Sequence, residues 1–265
     1  MLKKIKYKLS TNSYMLALAW FYRLFIKKSN SRLIKKFDKI NIKSKKIKSY
    51  ISSNDIILDI GSHGGSWAFF LSALVPKGKV ICFEALPLYS KALRNVVTLS
   101  TKKNIIVRNA AVLNKNKTVS ITWKDEKNNR LTGMTRLSKK GDMQSQKLKV
   151  KGIKIDDFFN NFDDKVTRIS FIKMDIEGAE LFALQGSLEL IKKNKPIIIL
   201  EFVPAHMKNF NINPNELYQF FSEINYYPVC SFQLEPNFLD LSLKDFNFND
   251  DIVFAHKNIS QIRKV

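Results

Sequence analysis

The sequence has few of the features that mark secreted or membrane-spanning proteins. Only two cysteines, Cys82 and Cys230, occur in 265 residues. Both lie in apolar runs, so no disulfide framework is expected and a reducing compartment such as the cytoplasm is the simplest interpretation. The apolar segment 14–26 is interrupted by Arg23, and it is shorter than the roughly 20 apolar residues that a membrane-spanning helix needs. No small-x-small cleavage site follows it, which argues against a signal peptide.

Acidic residues are scarce at the start of the chain. Residues 1–50 contain 15 Lys and Arg residues against Asp38 alone, a net charge of +14 out of +22 for the whole chain. Two helices are predicted here, at about 12–27 and 30–48. Such a basic helical extension is solvated in some proteins and meets anionic lipid or nucleic acid in others. A helix that lies on a membrane surface and a helix that packs on the rest of the protein both remain open.

The rest of the chain alternates between apolar runs and amphipathic segments. This rhythm predicts a parallel α/β sheet with right-handed crossovers, in one domain over residues 51–258 followed by a tail at 259–265. Strands are predicted at 55–60, 79–84, 104–108, 168–174, 196–202, 226–232 and 248–256. Helices are predicted at 65–75, 88–99, 178–193 and 214–225.

Residues 112–155 interrupt the alternation. Short runs at 118–123 and 147–153 flank polar stretches that contain Asn and Gly. This pattern predicts an inserted antiparallel β segment with a loop near 124–146.

Two acids and a glycine turn form the most informative motif. An apolar run ends in Asp59 and turns through Gly61 and Gly65, and the next apolar run ends in Glu84. A glycine turn permits close approach to a ligand, and an acid after the second strand can accept from two ribose hydroxyls. The spacing is Asp-x-Gly-x-x-x-Gly rather than the Gly-x-Gly-x-x-Gly of dinucleotide sites, so S-adenosylmethionine, which has no phosphate, is the better fit.

A third motif places acids after a later strand. The run Asp175-Ile-Glu177-Gly178-Ala-Glu180 leads from a strand into a helix. Ligands of open α/β sheets bind at the carboxyl ends of the strands, so the polar residues at those ends should converge on one rim. These residues are Asp59, Glu84, Asn109, Asp175 and Glu201.

Over about residues 54–255 the sequence resembles the FkbM-type S-adenosylmethionine-dependent methyltransferases of the class I fold. The resemblance is carried by the glycine turn, by Cys-Phe-Glu84, Asn109-Ala-Ala-Val, Ile155-Asp-Asp-Phe, Lys173-Met-Asp175-Ile-Glu177-Gly178-Ala-Glu180 and Ile-Leu-Glu201. It implies a doubly wound, seven-stranded sheet and methyl transfer, usually to a hydroxyl of a sugar or natural-product scaffold. The chain departs from the family at His63, where Asn is usual, and at Ala85, where Pro is usual.

The cofactor-binding prediction covers the turn and the strand ends. Glu84 is expected to accept from both ribose hydroxyls, Gly61 and Gly65 to allow close backbone approach, and Asn109 to accept from the adenine amino group. The resemblance places Asp175 near the methionine end or the acceptor. The full predicted set is Asp59, Gly61, Ser62, His63, Gly65, Glu84, Asn109 and Asp175.

The predicted catalytic residues are Asp175, Glu177, Glu201 and His206. His206 follows the strand that ends near Glu201 and is a candidate general base, although it can equally be a loop histidine without function. The acids can act as simple helix caps. A hard divalent metal ion held by Asp175, Glu177 and Glu201 would lower the pKa of an acceptor hydroxyl, but acids at a cofactor rim do not require a metal, and the metal-free interpretation is preferred.

The expected acceptor is a small molecule or glycan, with selectivity set by residues 112–155 and 203–213. A nucleic-acid methyltransferase is the main alternative because it shares the fold. Base methylation at amino groups commonly uses an Asn/Asp-Pro-Pro-aromatic turn, which this chain lacks, and acids at the acceptor mouth repel phosphate. A second alternative is a non-catalytic, membrane-peripheral protein with a vestigial cofactor fold.

Overall fold

Two β-sheets organise the computed structural model. It describes residues 12–26, 47–100, 102–124, 136–138, 146–162, 168–231 and 249–259. The strands, in chain order, are β1 (Ile56–Ile60), β2 (Lys79–Phe83), β3 (Ile105–Arg108), β4 (Ala111–Val112), β5 (Lys117–Lys124), β6 (Arg136–Leu137), β7 (Gln146–Ile153), β8 (Ile169–Met174), β9 (Ile197–Phe202), β10 (Tyr226–Ser231) and β11 (Asp250–His256).

Nine α-helices accompany these strands within the described residues. They are α1 (Ser13–Phe21), α2 (Ile47–Tyr50), α3 (Ser66–Ser72), α4 (Pro87–Leu99), α5 (Ile155–Asn160), α6 (Glu180–Gln185), α7 (Leu188–Asn194), α8 (Pro204–Met207) and α9 (Pro214–Glu223). A π-helical turn, Tyr22–Ile26, extends α1, and a 3-10 turn, Lys208–Phe210, follows α8. Most of the predicted helix at 30–48, most of the predicted loop at 124–146 and nearly all of the predicted tail lie outside the described residues.

The seven-stranded sheet confirms the predicted fold class. Its strand order is β10-β11-β9-β8-β1-β2-β3, with β11 antiparallel to both of its neighbours and the others parallel. Strands β1 and β8 are buried along their whole length because helices cover both faces of the sheet. One apolar core lies under α1, α3 and α4, and the other lies under α6, α7 and α9. The sheet brings the ends of β1, β2, β8 and β9 to one edge.

The smaller sheet corresponds to the predicted insertion. Its order is β4-β7-β5-β6. Strand β5 runs antiparallel to β6 and β7, as predicted, whereas β4 pairs with β7 in parallel. This sheet follows β3 directly and therefore lies beside the carboxyl edge of the main sheet.

The prediction of one helix at 178–193 is wrong, because two separate helices, α6 and α7, occupy this range. Asp156 in α5 explains the division. Its carboxylate accepts hydrogen bonds from the backbone N–H groups of Glu189 and Leu190 at 3.2 and 2.9 Å, and its own N–H donates to the carbonyl of Gly186. A side chain more than thirty positions away thus caps the first turn of α7.

Helix α1 packs on the main domain and leaves one face exposed. Asn12 caps it by accepting a hydrogen bond from the N–H of Tyr14. Its residues Ala17 and Trp20 are buried in the core, whereas Tyr14 is 55% and Leu18 is 40% exposed. In the part of the chain that the structure describes, no helix is both long and apolar enough to cross a membrane.

Candidate active site

A cleft of about 850 Å³, counting space open to solvent, lies at the carboxyl ends of β1, β2 and β8. This is the edge at which open α/β sheets bind ligands. Five of the predicted site residues line the cleft, and its apolar walls come from β2 and from the smaller sheet, which includes β4. The five are Gly61, His63, Glu84, Asp175 and Glu177.

The glycine turn after β1 fits closely against the turn after β8. Gly61 has φ +83°, and a Cβ there would lie 1.8 Å from the carbonyl oxygen of Asp175. Any side chain at this position would therefore push the two turns apart. The N–H of Gly61 donates a hydrogen bond to the carbonyl of Phe83 at 2.9 Å, which connects the turn to β2 as well. Gly65, at φ +81°, begins α3. The turn is thus held open as a backbone surface for a ligand.

His63 lies between two aromatic rings. Its imidazole is 5.2 Å from the Trp20 ring and 4.8 Å from the Tyr89 ring, measured between centroids. Burial lowers the pKa of His63, so the ring is neutral at pH 7. Its φ of +43° lies in the left-handed region, where Asn is accommodated more easily. These aromatic contacts connect the N-terminal helix to the cleft wall.

Glu84 holds two loops of the cleft together. One carboxylate oxygen accepts from the N–H of His63 at 2.9 Å, and the other accepts from the N–H of Leu86 at 2.8 Å. Burial raises the pKa of Glu84 to about 7, although these two hydrogen bonds lower it. A carboxylate oxygen has two lone-pair directions, so each can still accept from a ribose hydroxyl. This placement supports the predicted ribose role.

Asn109 supports the same corner. Its amide nitrogen donates to the backbone carbonyls of Glu84 and Ala85, both at 2.8 Å. Its amide oxygen is left as the acceptor that the adenine prediction requires. Asn109 itself is exposed and does not line the cleft, whereas Ala85 does.

Asp59 and Ser62, predicted to bind the cofactor, lie behind the cleft wall rather than on it. The Ser62 hydroxyl donates to the backbone carbonyl of Asp59 at 2.6 Å. The Asp59 side chain is almost fully buried. Burial raises its pKa to about 7, and the nearby Lys173 ammonium lowers it. Their placement favours a role in shaping the turn.

Lys173 is a buried cation at the centre of the site. Its side chain is 1% exposed, and its Nζ lies 3.0 Å from Oδ2 of Asp175. It also donates to the carbonyl of Met174 at 3.2 Å. Although burial lowers the pKa of Lys173, the surrounding carboxylates, led by Asp175, raise it above its ordinary value overall. The Lys173 ammonium thereby holds the Asp175 side chain in place at the cleft.

Three of the predicted catalytic residues come together: Glu177 after β8, Glu201 in β9 and His206 in α8. Nδ1 of His206 lies 3.0 Å from Oε2 of Glu177 and 3.9 Å from Oε2 of Glu201. Burial raises the pKa of Glu177 to about 7 and that of Glu201 to about 9, and neighbouring acids add to both shifts. Burial also lowers the pKa of His206. Asp175, the other predicted catalytic residue, is paired with Lys173 instead.

Glu180 and Gly178 set the position of this cluster. Glu180 is buried, and its Oε1 accepts from the N–H groups of Ile176 at 2.9 Å and Gly178 at 3.4 Å. Gly178 has φ +100°, and a Cβ there would lie 2.4 Å from the carbonyl carbon of His206. The turn after β8 and helix α8 therefore approach each other through a glycine, which brings His206 to Glu177.

The sequence analysis missed three residues of the site, Lys173, Arg136 and Tyr89. Lys173 carried a signal, because it is a lone charge in an otherwise apolar strand. Arg136 reaches the cleft from β6, in a segment without a recognisable pattern. Tyr89 lines the cleft from α4, where its spacing is that of an ordinary core residue.

The chain resembles several solved structures at low identity. An FkbM methyltransferase from Methylobacillus flagellatus is 20% identical over 76% of this chain and 44% of that one, with a TM-score of 0.49. A methyltransferase from Streptococcus mutans, solved with SAH, is 11% identical over 82% and 96%, with a TM-score of 0.43. A SAM-dependent methyltransferase from Aquifex aeolicus is 15% identical over 85% and 97%, with a TM-score of 0.41. This chain thus spans less than half of the Methylobacillus protein.

The family comparison is more specific. No protein of curated function matches the sequence. The profile of the methyltransferase FkbM domain matches residues 59–228. That segment is more than half of the chain and contains every predicted site residue, so the protein belongs to the FkbM methyltransferase family.

Proposed function

We propose that this methyltransferase takes its methyl group from S-adenosylmethionine and transfers it to a hydroxyl of a sugar, glycan or other small molecule. The observation that carries the proposal is the division of the cleft into two ends. Glu84 and the glycine turn form a nucleoside end. Glu177 lines the cleft, and Glu201 and His206, which lie outside its lining, contact Glu177 and complete an acceptor end where a hydroxyl can lose its proton. Asp175 lies between them.

The residues present fit this cofactor. The ribose offers two hydroxyl donors to Glu84, whose carboxylate is already fixed by two backbone N–H groups. The ammonium group of the methionine end matches the carboxyl group of Asp175, which lines the cleft. Among the described residues that line the cleft, Arg136 is the one Lys or Arg, whereas a dinucleotide would need partners for a pyrophosphate. A phosphate-free nucleoside suits these charges better.

The chemistry asks three things of the chain. When bound, the cofactor supplies an electrophilic sulfonium methyl group. The residues must hold the acceptor oxygen in line with that methyl, exclude water and remove the hydroxyl proton as the oxygen attacks. The neutral imidazole of His206 is the candidate general base when no cation is present, because the imidazolium that it forms would lie between Glu177 and Glu201. We assign in-line placement partly to the smaller sheet, which supplies Ile121 and Arg136 to the cleft.

The direct test of this proposal uses the purified chain with S-adenosylmethionine carrying a radiolabelled methyl group. Candidate acceptors are nucleotide sugars, free glycans and lipid-linked glycans, and the readout is label in an alkali-stable methyl ether. Label in an amine or carboxylate ester would replace the hydroxyl proposal with N-methylation or ester formation. RNA and DNA serve as the comparison substrates. Efficient labelling of nucleic acid would refute the small-molecule assignment, which rests on Arg136 being the one Lys or Arg among the described residues that line the cleft.

We also propose that residues 1–50 bring the enzyme to an anionic membrane surface. The segment carries a net charge of +14, and α1 exposes Tyr14, Leu18 and Tyr22. Trp20 does not contribute to this surface, since its ring is buried against His63. Each Lys or Arg near an anionic surface contributes on the order of 1 kcal/mol. The exposed aromatic and apolar side chains would add a salt-independent part.

Vesicle co-sedimentation tests the membrane proposal. Phosphatidylserine vesicles should bind the full chain strongly at 0.01 M salt and weakly at 0.1 M, because the Debye length falls from about 30 to about 10 Å. Leu18→Ser combined with Tyr22→Ser should lower the binding that survives at the higher salt. Negligible sedimentation of the full chain at the lower salt would contradict the proposal.

A further inference from the structure

Three side chains converge on one point beside the cleft, and one of them, Glu177, also lines it. Glu177 follows β8, Glu201 lies in β9 and His206 lies in α8. One ligand atom from each lies within 4.8 Å of the other two. Nδ1 of His206 is 3.0 Å from Glu177 and 3.9 Å from Glu201. Ligands about 2.1 Å from a shared cation stand roughly 3–4 Å apart, so the two separations from His206 are those of a coordination shell.

The ligand atoms are also unsatisfied. Nδ1 of His206 and Oε2 of Glu201 are buried and have no hydrogen-bond partner in the described part of the chain. Oε2 of Glu177 lies 3.0 Å from Nδ1 of His206, but this contact does not have the geometry of a hydrogen bond. The Glu177 side chain is 9% exposed and faces the cleft. Buried polar atoms are almost always hydrogen-bonded, and a set of exceptions at one point is accounted for by an ion bound among them.

Local charge favours a cation at the same point. Asp175, Glu177 and Glu180 all lie close enough to Glu201 to interact electrostatically with its carboxyl group. The buried ammonium of Lys173 is engaged by Asp175 and by a backbone carbonyl. An additional positive charge would offset the remaining repulsion.

We propose that Glu177, Glu201 and His206 bind one divalent cation of the Mn²⁺ or Mg²⁺ type. Two carboxylates and one imidazole leave about three positions of an octahedral shell for water and for oxygen atoms of the acceptor. Cation binding does not depend on the proposed function, but the catalytic role of the cation rests on that function. In the proposed reaction, the cation holds the acceptor oxygen and lowers the pKa of the acceptor hydroxyl. The proton passes to water, the oxygen–methyl bond forms and the sulfur–methyl bond breaks, with no change in oxidation state.

Mn²⁺ alone is the probe, since the electron paramagnetic resonance signal of the free ion falls as it binds. The full chain should take up one Mn²⁺ per molecule. Glu177→Gln, Glu201→Gln and His206→Ala should each weaken binding by at least about tenfold. Glu189→Gln makes the same change of charge on an exposed helix and should bind as the wild type does. Circular dichroism and S-adenosylmethionine affinity show whether each variant is folded.

A second measurement needs no variant. Pulsed electron paramagnetic resonance of the Mn²⁺-loaded wild type should show coupling to an imidazole nitrogen. No saturable Mn²⁺ binding, equal binding by the three variants and the wild type, or bound Mn²⁺ without nitrogen coupling would each overturn the proposal. Mn²⁺ binding without S-adenosylmethionine binding would sustain the cation site and refute the proposed function, and the reverse pattern would refute the cation site and leave His206 as the base.

Discussion

Replacing Glu84 by Gln probes the nucleoside end of the cleft most directly. The change keeps the size of the side chain and removes its charge. In the wild type both carboxylate oxygens accept backbone N–H groups, from His63 at 2.9 Å and from Leu86 at 2.8 Å. A Gln amide has one oxygen, so its NH₂ group must face one of these donors. The variant therefore loses both the charge and one of the two acceptor positions.

The magnitude follows from these hydrogen bonds. A hydrogen bond to a charged group contributes about 1.5–3 kcal/mol, and the ribose diol is expected to make two with Glu84. A loss of about 1.5–3 kcal/mol raises the dissociation constant for S-adenosylmethionine roughly 10- to 150-fold. Glu84→Ala should lose at least as much, and it also leaves the two backbone N–H groups without their acceptor. Its free energy of unfolding should fall by about 1–3 kcal/mol for each N–H that stays unsatisfied.

Isothermal titration calorimetry with S-adenosylmethionine and with S-adenosylhomocysteine measures the effect. The wild type is expected to bind in the micromolar range. Glu189→Gln, on an exposed helical position, is the matched control for loss of one negative charge. Wild-type affinity in Glu84→Gln and Glu84→Ala, with both variants folded, would remove Glu84 from the cofactor site and refute the reasoning.

Three further predictions concern pH, Asp175 and the N-terminal helix. Because burial raises the pKa of Glu84 to about 7, affinity for S-adenosylmethionine should fall about tenfold per pH unit below 7 in the wild type and not in Glu84→Gln. Because the pKa of Glu84 is raised in the folded state, its contribution to the free energy of unfolding should fall as the pH rises from about 4.5 to 7. Chemical denaturation at several pH values measures this dependence, and a contribution that rises over this range would contradict it. Asp175→Asn should abolish most methyl transfer. It should also lower the free energy of unfolding by about 1–3 kcal/mol because Lys173 loses its partner. Adding Lys173→Met to this variant should restore stability but not turnover. Unchanged turnover in Asp175→Asn would reduce Asp175 to a structural partner of Lys173. Trp20→Ala should lower the free energy of unfolding by about 3–5 kcal/mol and weaken cofactor binding through His63, and equal melting temperatures and affinities in variant and wild type would contradict this.

The sheet was predictable because its strands are buried on both faces. A parallel strand covered by two helical layers reads as a short continuous apolar run, as at Ile56–Ile60 and Ile197–Phe202. The observed ends lie within about two residues of the predicted ones. The division between α6 and α7 was not predictable, because the cap comes from Asp156, a contact that depends on the folded chain.

Within the site, the sequence predicted positions better than side-chain directions. The strand ends converge as expected, and Glu177, Glu201 and His206 meet. Asp59 and Ser62 belong to the same motif, but their side chains turn behind the cleft wall. A motif identifies the residues of a turn, and only the folded backbone determines which side chains face the ligand.

Pairings between distant segments explain the remaining differences. The predicted metal ligands included Asp175, but in the structure this carboxylate is paired with the buried Lys173, and His206 completes the cluster instead. Trp20 is an aromatic residue in a segment rich in basic residues, a pattern typical of membrane-facing helices. Its ring is instead buried against His63 and Tyr89, two contacts made across long sequence separations.

A crystal structure of the full chain with S-adenosylhomocysteine would test the central claim most directly. The account predicts density in the cleft at the ends of β1, β2 and β8, with both ribose hydroxyls within hydrogen-bond distance of the Glu84 carboxylate and the amino-acid end beside Gly61 and Asp175. Addition of Mn²⁺ to the same crystals should place an anomalous peak between Glu177 and His206. A cofactor bound elsewhere, or one whose ribose does not reach Glu84, would contradict the account.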